Sequence, residues 1–233
     1  MKPPPRSGNL AGVDISADQV RIALFAVIAF VVSVSIHEFG HAFVADRLGD
    51  RIPRQQGRLT LSPLAHVDMI GTLAMPLFAA LSGLPLIAWG KPVQTNPANY
   101  TKRFSMKTGH MLVSAAGPFM NLVLAVIVSV VIVVLAKAGV LPPVVRDGMI
   151  QYLLVLNIVL LFFNLIPLGP LDGAAVLDGL LPRSMSQIGE LNRKYGMLLL
   201  LVLFFTPALR WLMAPVYRLA GAWIGLLDRV VPA

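Results

Sequence analysis

The sequence contains no cysteine, and this absence excludes disulfide bridges, a cysteine nucleophile and any metal site with thiolate ligands. Charged residues are also scarce, at 13% of 233 residues, whereas soluble domains carry about 25%. Hydrophobic residues make up 57% of the chain, and the mean hydropathy is +0.77. A chain with so little charge and so much apolar surface is neither a soluble domain nor a disordered segment. The composition therefore predicts an integral membrane protein.

Long stretches without basic or charged residues indicate membrane-spanning helices. Residues 22–46 contain no Lys or Arg, and residues 108–136 contain no charged side chain. A helix needs only about 20 apolar residues to cross the hydrocarbon core. Another span is predicted at 148–167, a last full span begins within 195–209, and residues 211–227 form either a short span or an interfacial helix. The predicted fold class is an all-α integral membrane protein, a polytopic helical bundle of about 4–6 membrane segments.

Another apolar stretch, residues 69–90, is interrupted by Pro76, Gly83 and Pro85. It lies between two basic loops, so both of its ends are expected on the same side of the membrane. Such a hairpin is tolerated at membrane depth only where other parts of the protein surround it. The preceding residues 59–68 include proline and β-branched residues and are predicted to be extended. We therefore expect a short extended and re-entrant element beside the helices.

The positions of Lys and Arg predict how the spans are oriented. The loops 47–58, 91–107 and 183–194 carry four, four and three basic residues, as cytoplasmic loops do. Residues 1–19 are predicted to form an extramembrane N-terminal tail, and residues 20–233 a single membrane domain. Because the net charge of +8 is explained by these loops, no nucleic-acid partner is expected.

The first span contains three ionisable residues in the sequence His37-Glu38-Phe39-Gly40-His41. His37 and His41 lie one turn apart on the same helix face, where both imidazoles can bind one Zn²⁺ ion. Glu38 is adjacent to the first of them and can act as a general base toward a water molecule. Ionisable groups at membrane depth cost roughly 2.5–3.5 kcal/mol each, so three of them on one apolar helix indicate a metal site.

A catalytic zinc site needs a third protein ligand. In a chain without cysteine, the candidates are His66, His110 and the carboxylates in apolar surroundings. Asp172 is favoured because it follows the span 148–167, which is predicted to run in the same direction as the first span. Both would then reach the cytoplasmic side, where His110 also begins a span. From spacing alone, Asp172 can instead be a turn residue or a helix N-cap.

Four further polar or small residues are candidates for a role near the site or in the structure around it. His66 and Asp68 either line the site and support a ligand histidine, or make local hydrogen bonds in a loop. Gly117 and Asn121 lie on the span 108–136, where we favour structural roles: close helix approach for the glycine and an interhelical hydrogen bond for the asparagine.

Two sequence motifs resemble those of the site-2 proteases, which are intramembrane zinc metalloproteases of the M50 type. These are HEFGH in one span and NLIPLGPLDG at the end of another. Within residues 30–182, which the resemblance covers, neither the PDZ-like domain nor the CBS pair of larger relatives occurs. The metalloprotease domain would span 20–233, with a catalytic core at about 20–182. Further stretches resemble the compact bacterial branch: SPLAHVDMIGT at 62–72, AWGKPVQTNP at 88–97 and AAGPFMN at 115–121.

The resemblance implies one Zn²⁺ per chain, held by His37, His41 and Asp172, with Glu38 as the general base that acts on a zinc-activated water. It also implies that Asn164 helps to hold the substrate or its oxyanion, a role that suits an amide N–H group. The expected activity is hydrolysis of peptide bonds within or near transmembrane segments, as in regulated intramembrane proteolysis. The enzyme is expected in the cell membrane as a multi-pass protein, with its site toward the cytoplasm.

The main alternative is an intramembrane metal-ion transporter or a metal-binding membrane protein, because intramembrane His and Asp also mark ion pathways. Transporters often alternate access through internal repeats, and the sequence has no repeat of fixed period. A transporter also has no need of Glu38 as a base beside the ligands. The expected partners are therefore a membrane-protein substrate with a transmembrane segment and the lipid bilayer; no oligomeric state is predicted.

Overall fold

The computed structural model describes residues 17–75, 77, 78 and 88–231. No strand occurs within these ranges, in agreement with the predicted all-α class. The short α2 follows α1 directly, and α4 passes through a wider helical turn at Met149–Leu154. The helices are α1 (Ala17–Arg47), α2 (Ile52–Gln55), α3 (Met106–Lys137), α4 (Pro143–Asn164), α5 (Asp172–Leu180), α6 (Ser186–Phe204) and α7 (Ala208–Val230).

Three helices of the described chain are long and apolar enough to cross a membrane: Val20–Arg47 of α1, and the whole of α3 and α4. Helices α6 and α7 pass the same test when they are taken together, and they are bent by 77° at the break between them. If this bent pair is one span, the described chain has up to four spans. The polytopic helical membrane fold is thus confirmed, at the lower end of the predicted number of segments. Helix α1 includes the last three residues of the predicted tail 1–19, and residues 1–16 lie outside the described residues.

The last two helices differ from the predicted segments. The span expected from 195–209 begins earlier, at the start of α6, and ends at Phe204. Pro207 lies in the break, where it lacks the N–H group that a continuous helix needs. Beyond it, α7 is a helix of 23 residues whose Met213 and Ala220 are buried. The boundary between the two predicted segments thus lies a few residues earlier than expected, and the segment 211–227 lies within α7.

Helices α1 and α4 run in the same direction. Phe25 of α1 stacks on Tyr152 of α4, and further along both helices Ser33 contacts Asn157. Helix α3 runs against them, because α1 contacts it in the opposite residue order. We use the term site end for the end of the bundle at which α1 and α4 finish and α3 begins. This arrangement agrees with the directions predicted for the spans 22–46 and 148–167.

Small residues let α1 and α3 lie close together. A Cβ atom on Gly40 would lie 2.6 Å from the carbonyl oxygen of Ala116, so only glycine permits this approach. The larger apolar core lies between α3, α4 and α7 and is filled by aliphatic side chains. Its buried members include Leu124, Val128, Ile132, Leu154, Ile158, Met213 and Val216.

The segment 59–68, predicted to be extended, follows an irregular path with a helical turn at Pro63–Ala65. The ring of a proline at the first position of such a turn fixes its φ angle at a helical value. The prediction of an extended segment did not take this preference into account. The two ends of the predicted hairpin 69–90 do lie together: the Trp89 N–H donates to the Gly71 carbonyl at 3.2 Å. Because residues 76 and 79–87 lie outside the described residues, the re-entrant course between these ends stays a prediction.

A buried carboxylate at the site end fixes the segment that follows the hairpin. Asp50, fully buried just after α1, accepts hydrogen bonds from the Asn96 N–H at 2.7 Å and from the Asn99 side chain at 2.9 Å. The Lys91 N–H donates to the His66 carbonyl at 2.9 Å. Residues 88–99 are therefore held against the end of α1, close to the HEFGH motif.

Candidate active site

The side chains of His37, His41 and Asp172 converge between the helices. The Nε2 atoms of the two histidines lie 3.0 Å apart, and the Asp172 Oδ2 atom lies 3.1 Å from His37 Nε2 and 3.4 Å from His41 Nε2. A tetrahedral zinc ion with bonds of about 2.0–2.1 Å would separate its ligands by about 3.3 Å. The three atoms therefore fit a zinc site, and the described residues contain no other such group of three.

The second nitrogen of each imidazole is held by a hydrogen bond to a residue of α3. His41 Nδ1 lies 2.8 Å from the Val113 carbonyl oxygen, and His37 Nδ1 lies 2.7 Å from the Asn121 Oδ1 atom. A carbonyl oxygen only accepts, so His41 Nδ1 donates and its Nε2 lone pair points to the cluster. The donor set is thus arranged as a metal requires.

Asp172 is the first residue of α5 and follows directly after the loop that leaves α4. Its Oδ2 atom faces the Nε2 atoms of both histidines. A carboxylate is deprotonated when it binds a metal, so Asp172 would supply the negative charge of the donor set.

Gly117 of α3 provides the space in which the two imidazoles lie. A Cβ atom on this glycine would be 2.5 Å from His41 Cε1 and 2.7 Å from His37 Cε1. The sequence favoured close helix approach as the role of Gly117, whereas the atoms beside it belong to the two imidazoles. The absence of a side chain lets the two histidines reach each other.

The cluster opens into a cavity of about 500 Å³. All five predicted site residues line this cavity, and so do apolar side chains of α1 and α4. The segment from Ala88 to Thr95 forms another part of its wall. The predicted site residues in question are His37, Glu38, His41, Asn164 and Asp172. The cavity therefore combines the polar side chains of the three possible ligands with largely apolar walls.

The Glu38 carboxylate is held in place by a backbone group. Its Oε2 atom accepts a hydrogen bond from the Val93 N–H at 2.9 Å. The sequence suggested only a basic loop for residues 91–107, whereas the structure places the start of this loop against the site. A backbone donor has no side-chain signature, so this contact could not be found in the sequence.

Asn164 ends α4 at the wall of the cavity. Its Nδ2 atom donates to the Leu160 carbonyl of the same helix at 3.0 Å. An amide nitrogen carries two hydrogens, and this bond uses one of them. The predicted role toward substrate or oxyanion stays a prediction.

The remaining candidates lie apart from the cluster. His66 is fully buried, with its Nε2 atom 2.9 Å from the Thr60 carbonyl oxygen. Asp68 accepts hydrogen bonds from the backbone of the turn that it precedes. Both residues therefore make local hydrogen bonds in a loop, which is the second of the two interpretations given above. His110 lines the cavity without joining the three converging side chains.

Two buried amides lie beside the site, and the sequence analysis did not connect either of them with the histidines. Asn121 was given a structural role, and it does make interhelical hydrogen bonds, but it also contacts the predicted ligand His37. Asn157 was not singled out. The available signal was the rarity of polar side chains inside membrane spans, together with the spacing of Gly117 and Asn121 on one face of α3.

Comparison with known proteins decides the family. Residues 25–147 match the model of peptidase family M50. The chain is 36% identical over 187 residues to YwhC of Bacillus subtilis (strain 168), an alignment that covers 78% of this chain and 81% of the relative. The chain belongs to peptidase family M50. The resemblance to the site-2 proteases is thereby confirmed, and the protein is a metalloprotease.

A second relative of the protease is Rip2 of Mycolicibacterium smegmatis, which is 33% identical over 213 residues, 87% of this chain and 78% of the relative. Rip2 of Mycobacterium tuberculosis (strain H37Rv) is 33% identical over 203 residues, 85% of this chain and 73% of the relative. The words zinc metalloprotease stand in the names of YwhC and Rip2. No solved structure shows significant similarity to the chain. Zinc is therefore the metal that the family implies for the cluster.

The substitution Gly117→Ala should weaken zinc binding by more than about tenfold, because its methyl group would displace both imidazoles. Zinc affinity of the purified protein, measured by competition with a chelator, checks this. Gly225→Ala on α7 is the matched control, because a Cβ atom there meets no atom within 4 Å. Equal zinc affinities for the two variants would show that Gly117 has no role in placing the ligands.

Proposed function

We propose that the protease cleaves peptide bonds within or near transmembrane segments of membrane proteins, at a zinc ion held by His37, His41 and Asp172. The observation that supports this most is the place of the cluster between the membrane helices. His37 lies ten residues before the end of α1, or roughly 15 Å along the helix axis from the site end. A bond cleaved there belongs to a membrane-embedded substrate.

The residues around the cluster have separate tasks in this hydrolysis. Zinc, when bound, supplies a Lewis acid that polarises the scissile carbonyl and lowers the pKa of water. The Glu38 carboxylate, oriented by the Val93 N–H, accepts the proton of the attacking water and passes it to the leaving amine. The second N–H of the Asn164 amide, at the cavity wall, donates to the oxygen on which negative charge develops.

The cavity also restricts the substrate. A transmembrane helix uses its carbonyl groups in hydrogen bonds to its own N–H groups, so it has to unwind before one of them reaches the metal. Apolar walls formed by Phe30 and Val34 of α1 and by Leu160 and Phe163 of α4 suit the apolar side chains of such a segment. We therefore propose substrates whose transmembrane segment contains helix-breaking residues near the site end.

The Glu38→Gln variant should keep its zinc and lose about 10²–10⁴-fold in cleavage rate, because the amide cannot accept the proton of water. The assay uses the purified protein in liposomes with single-span substrates, a chelator control, and mass spectrometry to locate the cut. Glu190→Gln is a close control, since Glu190 is the other glutamate of the chain and lies exposed on α6.

Two results would contradict the proposal. One is unchanged cleavage in the Glu38→Gln variant. The other is a cut found only in soluble parts of the substrates. Zinc flux into the liposomes that persists in Glu38→Gln, without any cleavage by the unsubstituted protein, would support a transporter instead.

The Asn164→Leu variant should lower kcat by about 10²–10³-fold with little change in KM, because one oxyanion donor is removed from the transition state. Its zinc content should stay at one ion per chain, since Asn164 is not among the three converging donors. Steady-state kinetics on the same liposome substrates provide both constants. A kcat equal to that of the unsubstituted protein would limit Asn164 to its bond within α4.

We propose further that the site end faces the cytoplasm. The structure brings two of the predicted basic loops together there, because Asp178 of α5 lies 3.3 Å from the Lys107 Nζ atom and 3.8 Å from an Arg193 nitrogen. The end of α1, followed by the Arg-rich residues 47–58, lies at the same end of the bundle. Clustered basic residues favour the cytoplasmic side of a membrane.

The absence of cysteine allows a clean test of orientation. A cysteine introduced as Gln55→Cys, at the exposed site end, should react with a membrane-impermeant maleimide only in inverted vesicles. Val140→Cys, exposed at the opposite end, should react only in intact cells. The reverse labelling pattern would place the site on the outer side.

A further inference from the structure

A chain of buried polar side chains leads from His37 across α3 to α4. His37 Nδ1 lies 2.7 Å from Asn121 Oδ1, and Asn121 Nδ2 lies 2.8 Å from Asn157 Oδ1. Asn157 Nδ2 in turn lies 2.8 Å from the Ser33 Oγ atom and 2.8 Å from the Leu153 carbonyl oxygen. Asn121, Asn157 and Ser33 are fully buried, and we call these three residues the polar relay.

The direction of these hydrogen bonds follows from one backbone group. The Leu153 carbonyl oxygen only accepts, so the atom of Asn157 beside it is the amide nitrogen. The oxygen of Asn157 therefore faces Asn121, and Asn121 has to present its own nitrogen there. That nitrogen also lies 3.4 Å from the Ser33 carbonyl oxygen, another group that only accepts.

The same reasoning extends to the metal ligand. With its nitrogen toward Asn157, Asn121 presents its oxygen to His37, so the His37 Nδ1 atom has to donate. A neutral imidazole with its proton on Nδ1 has its lone pair on Nε2, the atom that faces His41 and Asp172. The relay thus determines which nitrogen of His37 is available to a metal.

We propose that Asn157 and Ser33 are positioning residues of the metal site, acting on His37 through Asn121. This inference rests on the zinc site proposed above. Neither residue lines the cavity or belongs to the converging donors, so their effect on His37 is exerted through Asn121. Partners of ligand histidines typically change metal affinity by about 10–100-fold when they are replaced.

With the relay, α4 has two connections to the residues that would hold the metal. Through Asn157 this helix sets the proton position on His37, and through the loop at its end it carries Asp172. The complete donor set therefore exists only when α1, α3 and α4 are packed together. Zinc binding and the packing of these three helices are then coupled.

The test compares zinc affinity with stability in the full chain in detergent. Asn157→Leu should weaken zinc binding by about 10–100-fold, because the Asn121 amide loses the acceptor that sets its direction. Ser129→Ala is the control: Ser129 is also buried, donates to the Ala125 carbonyl at 2.8 Å and accepts from the Trp223 Nε1 atom at 3.1 Å, outside the relay. Both variants should lower the Tm of the metal-free protein, but Ser129→Ala should leave zinc affinity unchanged.

A second pair of variants covers the case in which Asn157→Leu does not fold. Asn121→Asp keeps an acceptor for His37, whereas Asn121→Leu has none, so the aspartate variant should bind zinc more tightly by at least tenfold. Substitution of cobalt(II) gives a spectroscopic readout of the ligand geometry, which should change in Asn121→Leu and stay close to the original in Asn121→Asp.

The outcomes separate the two proposals. If the unsubstituted chain binds zinc and Asn157→Leu binds it equally well with a lower Tm, the relay only holds helices together and the inference is wrong. Equal zinc affinity for Asn121→Asp and Asn121→Leu has the same meaning. If the unsubstituted chain binds no zinc, the proposed function fails, and the inference fails with it.

Discussion

Three ionisable side chains lie in contact with one another inside an apolar helical bundle, and the surrounding structure makes this contact possible. Each such group costs roughly 2.5–3.5 kcal/mol at membrane depth when it has no partner. His37, His41 and Asp172 offset this cost by lying within hydrogen-bonding distance of one another, in the geometry that a zinc ion requires. Gly40 and Gly117 permit it, because any larger residue would separate α1 from α3 or displace the imidazoles.

Asp172 reaches the cluster because a neighbouring helix secures the loop after α4. Asn192 of α6 accepts a hydrogen bond from the Gly169 N–H at 3.2 Å and donates one to the Pro167 carbonyl at 3.1 Å. Glu38 is secured in a comparable way by the Val93 N–H, which belongs to a segment fixed to the end of α1 through Asp50. Asp172 and the proposed base Glu38 are thus held by loops that the bundle itself anchors.

Much of this site can be predicted from the sequence, and the reasons are local. The helical repeat places His37 and His41 on one face, and the length of the apolar stretches gives the three main spans. Asp172 was favoured because the order of the spans brings their ends to one side, and the structure places its carboxylate beside both imidazoles.

Other features depend on contacts between distant parts of the chain. The direction of the Asn121 amide is set by Asn157, 36 residues away, and the donor to Glu38 is a backbone N–H from residue 93. No local sequence pattern predicts contacts of this kind. The turn at Pro63–Ala65 was missed for a different reason, because β-branched composition was given more weight than proline. The break at Pro207 was expected a few residues later, because the residues around it are apolar.

X-ray absorption at the zinc edge, on the purified chain, tests the central claim most directly. The account predicts one zinc ion per chain with nitrogen and oxygen donors at about 2.0–2.1 Å, two of them imidazoles, and loss of this signal in Asp172→Ala. A six-coordinate hydrated ion, or a zinc environment that is the same in the unsubstituted protein and in Asp172→Ala, would contradict it.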